Sequence, residues 1–120
     1  MTNTEEITIY HNPRCSKSHK TLELLRENGI EPEIVPYLTE APDEKEMEGI
    51  LNLLDMEPRD LMRKKEAEYK EAGLNNPDLS RAELITAMCK YPRLIERPIV
   101  IKGKKAVLGR PPENVMALIK

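Results

Sequence analysis

ITIYHNPRCSKSHKTLELL, residues 7–25, decides how the rest of the chain is read. Ile7 and Ile9 alternate with Thr8 and Tyr10 as in a short strand. His11-Asn12-Pro13-Arg14 interrupts that pattern, a single cysteine follows, and Leu22 and Leu25 then take up helical spacing. A cysteine at a strand-to-helix turn stands at a helix N-terminus, where unpaired backbone N–H groups and the helix dipole favour negative charge. Between Ile7 and Leu22 there is no Asp or Glu, whereas Arg14, Lys17 and Lys20 bring positive charge. Both features favour the thiolate of Cys15 over the thiol and predict a lowered pKa. A cysteine of that kind is a nucleophile near neutral pH.

Working outward, the first strand covers Ile7–Tyr10 and the helix runs from Ser16 to Asn28, with Gly29 as its stop. Residues Pro32–Leu38 read as a short strand carrying prolines 32 and 36, suited to a sheet edge. A β-α-β order places these two strands parallel. Asp43 with Glu46, and Ser80 with Glu83, are capping boxes that start two helices. Met47, Ile50, Leu51 and Leu54 line the inner face of one, and Leu84, Ile85, Met88 and Cys89 that of the other. Pro58 opens a short helix through Leu61 and Met62, and Gly73 is a further stop. The charged run Arg59–Glu71 predicts a solvated helix laced with i,i+4 pairs. Pro98–Ile101 is a strand, Gly103 turns the chain, and Ala106–Leu108 returns beside it. Arg110-Pro111-Pro112-Glu113 opens a last helix, with proline suited to its first turn. This order is that of a thioredoxin-like α/β fold: a mixed four-stranded sheet with flanking helices, and a helical insertion between its β-α-β and β-β-α halves. The pattern alone also admits a generic α+β domain.

The chain of 120 residues is predicted to form one domain, 1–120. With no Phe or Trp, its core must be built from Leu, Ile, Val and Met with a few Tyr. A net charge of -2 excludes the strongly basic footprint of a nucleic-acid binder. No apolar run reaches the length of a membrane span, and residues Met1–Glu6 are polar and acidic, unlike a signal peptide. Two distant cysteines point to reduced thiols and a cytoplasmic setting rather than a disulfide framework. Two histidines and two distant cysteines lack zinc spacing, so neither a metal site nor a bound cofactor is expected.

Ser18 stands three residues after Cys15, where a dithiol motif would carry its second cysteine. Cys15 then has no local resolving partner, and any redox cycle must borrow an external thiol or, as the lesser alternative, Cys89. Ser16 or Ser18 also suits the helix N-cap. His11 either tunes Cys15 or acts as an acid–base group, or it merely holds the loop by hydrogen bonding, and the sequence leaves the functional and the structural reading level. His19 faces solvent, and Cys89 packs as a small apolar residue. Arg97 and Arg110 each precede a proline, which biases them to extended backbone from which a guanidinium can grip an oxyanion. For any one arginine, Arg63 included, a solvated surface charge is the default.

The strings IYHNPRCSKS…TLELLRENG, RDLMRKKEAEYKEAGL, RLIERPIVI and LGRPPE, in that order, resemble the thioredoxin-fold arsenate reductases that work with glutathione and glutaredoxin. The resemblance implies that Cys15 is the nucleophile, that His11 is the histidine of the H-N-P-x-C loop, and that Arg63, Arg97 and Arg110 bind the oxyanion. It also implies a cis bond before Pro98, with Ser18 supporting the turn. The implied reaction is reduction of arsenate to arsenite, with glutathione as co-substrate and glutaredoxin resolving the mixed disulfide.

The chain departs from the characterised reductases at Ser16-Lys17, where they carry Gly-Thr, and at Arg14, where they carry a small residue. It also stops at Lys120, short of their C-terminal tail. The HNPRCSKS form is similar to a sister branch of the family, for which another thiol substrate is an alternative. A third reading is a non-enzymatic thiol-sensing regulator. Such regulators carry a cysteine pair at the turn, and Ser18 counts against that.

Overall fold

The computed structural model describes residues 6–119. They fall into two compact units: the residues up to Tyr37 together with those from Arg97 onward, and Leu38–Glu96.

The first unit holds the whole sheet. Strands β1 (Ile7–Tyr10), β2 (Glu33–Val35), β3 (Ile99–Lys102) and β4 (Lys105–Leu108) lie in the order β2-β1-β3-β4. β1 runs parallel to β2, with Ile9 opposite Ile34, and antiparallel to β3, with Ile9 opposite Val100. β3 and β4 form the expected hairpin, Val100 facing Val107, turned through Gly103 at φ +57°. The sheet is therefore mixed. β2 is short because prolines 32 and 36 bracket it, and an edge position tolerates them.

One face of the sheet carries the core of this unit. Ile7, Ile9 and Val100 pack with Leu22 and Leu25 of α1 (Ser16–Glu27), and with Val115 and Leu118 from the end of the chain. Each such aliphatic side chain removed from water contributes roughly 1.5–3 kcal/mol. α1 ends as its sequence dictates: Gly29, at φ +78°, donates to the Arg26 carbonyl and Ile30 donates to that of Leu25. That is a Schellman closure, and Ile30 packs on the same cluster. The last helix is two short pieces, a 3₁₀ turn Pro112–Val115 and α5 (Met116–Ile119).

The second unit is helical: α2 (Glu44–Leu54), a 3₁₀ turn Pro58–Leu61, α3 (Ala67–Glu71), α4 (Arg81–Lys90) and a 3₁₀ turn Pro92–Leu94. Both capping boxes are present. Asp43 accepts from the Glu46 N–H at 2.7 Å, and Ser80 from that of Glu83 at 3.1 Å.

The run Arg59–Glu71 is not the single solvated helix its charge pattern predicts. Met62 bridges Ile95 in antiparallel fashion, and the backbone N–H groups of Arg63 and Glu96 donate to Leu94 and Leu61. Those bonds hold Met62 in extended backbone (φ −93°, ψ 142°) directly after the 3₁₀ turn and leave a five-residue helix further on. Arg59 makes no i,i+4 pair; it donates to the Tyr69 hydroxyl and to the carbonyls of Leu74 and Asn76. Pairing with a distant segment has overridden local propensity.

Candidate active site

Cys15 is itself the N-cap of α1, in extended backbone (φ −104°, ψ 121°) with no side-chain cap bond. Neither Ser16 nor Ser18 caps the helix, because the chain turns one residue earlier than a serine cap requires. The turn is held by Asn12, whose carbonyl accepts from the Cys15 N–H at 3.0 Å and whose Oδ1 accepts from that of Arg14 at 2.9 Å. The first turn of α1 contains no acidic residue. Burial alone would push the Cys15 thiol up. The backbone N–H of Ser18, the Arg97 side chain and the N–H of Lys17 outweigh it, and the thiol sits below its ordinary pKa.

Ser18 is fully buried, and so is Thr21 one turn on, while His11 is nearly so. The Ser18 Oγ lies 2.6 Å from His11 Nδ1 and accepts from the Asn12 N–H at 3.1 Å. His11 is thus tied to the cysteine loop by a hydroxyl rather than by a carboxylate. Burial, followed by the nearby charges of His19 and Arg26, lowers the His11 pKa. The imidazole is therefore neutral at pH 7. His19 is exposed, as expected, and its ring meets that of His11 edge-on at 4.9 Å.

Arg97, only 9% exposed, is the side chain that helps to hold the Cys15 thiol down, and its Nε has no hydrogen-bond partner. Its peptide bond to Pro98 is cis, as the resemblance implies, and so is that between Arg110 and Pro111. The Pro98 carbonyl accepts from the Gly109 N–H at 2.8 Å, so the residues just before β3 and just after β4 are joined. That bond carries the backbone of Arg110 on from the segment that carries Arg97. Arg110 is half-buried, and its carbonyl accepts from the Asn114 amide at 3.2 Å.

The sequence of residues 10–118 matches the model of the ArsC family. The chain belongs to the ArsC family. It is 50% identical over 117 residues to an uncharacterised protein, YfgD, of Escherichia coli K12, covering 97% of this chain and 98% of that one. It is 49% identical over 115 residues to an arsenate reductase of Neisseria meningitidis strain Z2491, covering 95% and 98%. The solved structure of an arsenate reductase from Vibrio cholerae superposes with a TM-score of 0.92 at 45% identity, covering 96% of this chain and 98% of that one.

Of the residues singled out in sequence, this ArsC chain brings Cys15, His11, Ser18, Arg97 and Pro98 into one constellation within the first unit. Arg110 follows from the same segments. Arg63 lies in the second unit, where its Nη1 donates to Glu66 at 2.6 Å and its Nε stands 3.7 Å from Glu96. Cys89 is only half-buried; burial and the carboxylates of Glu44, Asp43 and Glu46 push its thiol up to about 11. Among the described residues, no group of three or more His, Cys, Asp or Glu is placed to hold a metal. Nor, among the described residues, is any helix long and apolar enough to cross a membrane.

Three residues of the site went unread in sequence. Asn12 carried a signal, since Asn two residues before a turn residue is a common Asx acceptor. Thr21 and Gly109 carried none, because they meet across 88 positions of chain.

Proposed function

We propose that this chain reduces arsenate to arsenite, with Cys15 as nucleophile, glutathione as the second thiol and glutaredoxin as the protein that regenerates Cys15. One observation carries the reading: the Arg97 guanidinium, whose charge favours the Cys15 thiolate, keeps a buried Nε–H without a partner. A buried donor left unmatched is costly, and an oxyanion bound beside the thiol would satisfy it. The backbone N–H groups of Lys17 and Ser18, which already favour the thiolate, add to the attraction for an anion.

In this reading the Cys15 thiolate attacks arsenic(V), and a hydroxyl leaves as water after taking a proton. A glutathione thiolate supplies the second sulfur. Two electrons pass to arsenic as Cys15 and glutathione become a mixed disulfide and arsenite departs. Glutaredoxin then reduces that disulfide and returns the Cys15 thiolate. His11, neutral and held by Ser18, keeps the loop in shape and puts no positive charge beside the incoming oxyanion's counter-groups. Arg110 joins Arg97 in binding the anion. The free thiols Cys15 and Cys89 support a reducing, cytoplasmic setting.

A second reading, turnover of another glutathione mixed disulfide, is favoured by the exposed cations Arg14 and Lys17 flanking Cys15, which suit the carboxylates of glutathione. Mass spectrometry of the protein after one turnover separates the two. The first reading predicts a Cys15–glutathione adduct that forms only with arsenate present and disappears when glutaredoxin is added. An adduct that forms equally from a glutathione disulfide alone, with arsenate inert, would contradict it.

A further inference from the structure

α1 turns two polar residues inward at its N-terminal end before its leucines begin. Ser18 and Thr21 are both fully buried, ahead of Leu22 and Leu25. Ser18 serves the cysteine loop. Thr21 has a different partner. Its single Oγ1–H is shared between the Gly109 carbonyl at 3.1 Å and the Lys17 carbonyl at 3.0 Å, the latter an ordinary contact with the preceding turn. The Lys17 bond alone would satisfy the hydroxyl, so the contact with Gly109 is not forced by burial.

Gly109 is held as closely on its other side. A Cβ built there would lie 2.9 Å from Pro98 Cγ and 2.9 Å from both Cγ2 and Oγ1 of Thr21. Its φ is ordinary, so glycine is needed here for close approach rather than for backbone freedom. The Gly109 N–H donates to Pro98, and its carbonyl receives Thr21. The backbone of one residue, Gly109, thus links Pro98, the residue after Arg97, to the helix whose N-cap is Cys15, immediately before Arg110.

We infer that Thr21 is a positioning residue: through Gly109 it sets the distance of the Arg110 backbone from Cys15, and so the affinity of the site for the oxyanion. This rests on the arsenate reading above. Removing the hydroxyl frees the Gly109–Arg110 segment from α1 without touching the thiol or either guanidinium. Oxyanion affinity falls while the reactivity of Cys15 stays.

The test uses the full chain and measures alkylation of Cys15 by iodoacetamide, against pH and against arsenate concentration. The variants are Thr21→Val, Thr21→Ser and Gly109→Ala. Thr21→Val keeps the shape and should raise the arsenate concentration giving half-protection by about tenfold, leaving the pH midpoint of alkylation in place. Thr21→Ser keeps the hydroxyl and should stay near wild type. Gly109→Ala pushes on the same contact from the other side and should resemble Thr21→Val, which keeps the test open if that variant folds poorly. Arsenate protection unchanged in both Thr21→Val and Gly109→Ala would overturn the inference. So would a Thr21→Val midpoint that shifts together with protection, since that marks a general collapse of the site. A wild type that arsenate does not protect would remove the arsenate reading, and this inference with it.

Discussion

The hydroxyl of Ser18 lies 2.6 Å from Nδ1 of His11, both side chains buried, and the same oxygen accepts the backbone N–H of Asn12. A residue at the position of a dithiol's second cysteine is therefore a strut of the loop that carries Cys15. Ser18→Ala leaves the imidazole nitrogen and the Asn12 N–H unmatched in a buried place. It should cost about 1–3 kcal/mol of stability, read as a lower midpoint in urea unfolding at unchanged slope. An unchanged midpoint would remove Ser18 from the structural account.

His11 makes stability depend on pH. Its folded pKa lies below the usual 6.5, so the unfolded chain takes up a proton first as pH falls. The increment it contributes is complete above pH 6.5 and is lost as pH drops through the folded value. Below pH 6.5, wild type should lose stability faster than His11→Gln, by a slope of up to about 1.4 kcal/mol per pH unit. Parallel curves for the two proteins would contradict the assignment.

The two thiols should separate by reactivity. The Cys15 thiol lies below its ordinary pKa and that of Cys89 near 11, so at pH 7 alkylation should modify Cys15 alone. Cys15→Ser should abolish labelling at that pH, and Cys89→Ser should leave it almost intact. Equal labelling of both sites by peptide mapping would refute the contrast.

Arg97→Ala removes the side chain that helps to hold the Cys15 thiol down, while the upward push of burial remains. The pH midpoint of alkylation should therefore rise, and arsenate protection should weaken with it. Arg110→Ala should weaken protection and move the midpoint less. A midpoint that ignores Arg97→Ala would mean that the backbone of α1 alone sustains the thiolate.

Elements written into short windows of sequence were legible in advance. The two capping boxes, the Gly29 stop and the β3–β4 hairpin are set by residues within four positions of one another, and all are present. Cys15 was legible for the same reason, because its basic surroundings and its helix are local. The helix expected over Arg59–Glu71 failed because the bridge from Met62 to Ile95 is paid out across the intervening chain, where no local pattern records it. The serine cap failed because the turn depends on the Asn12 side chain. The contact of Thr21 with Gly109 was invisible, since threonine in a helix and glycine after a strand each have commoner explanations. Arg63, which only the family resemblance singled out, is held by Glu66 and Glu96, partners that no local pattern named.

Arsenite production is the most direct test of the central claim. Purified wild type, Cys15→Ser and Cys89→Ser would be given arsenate, glutathione, glutaredoxin, glutathione reductase and NADPH, with arsenite resolved by chromatography and NADPH oxidation followed in parallel. The account predicts one arsenite per NADPH with wild type and Cys89→Ser, and none above background with Cys15→Ser. Arsenite formed equally by Cys15→Ser, or no arsenite from a wild type whose Cys15 still alkylates at low pH, would contradict it.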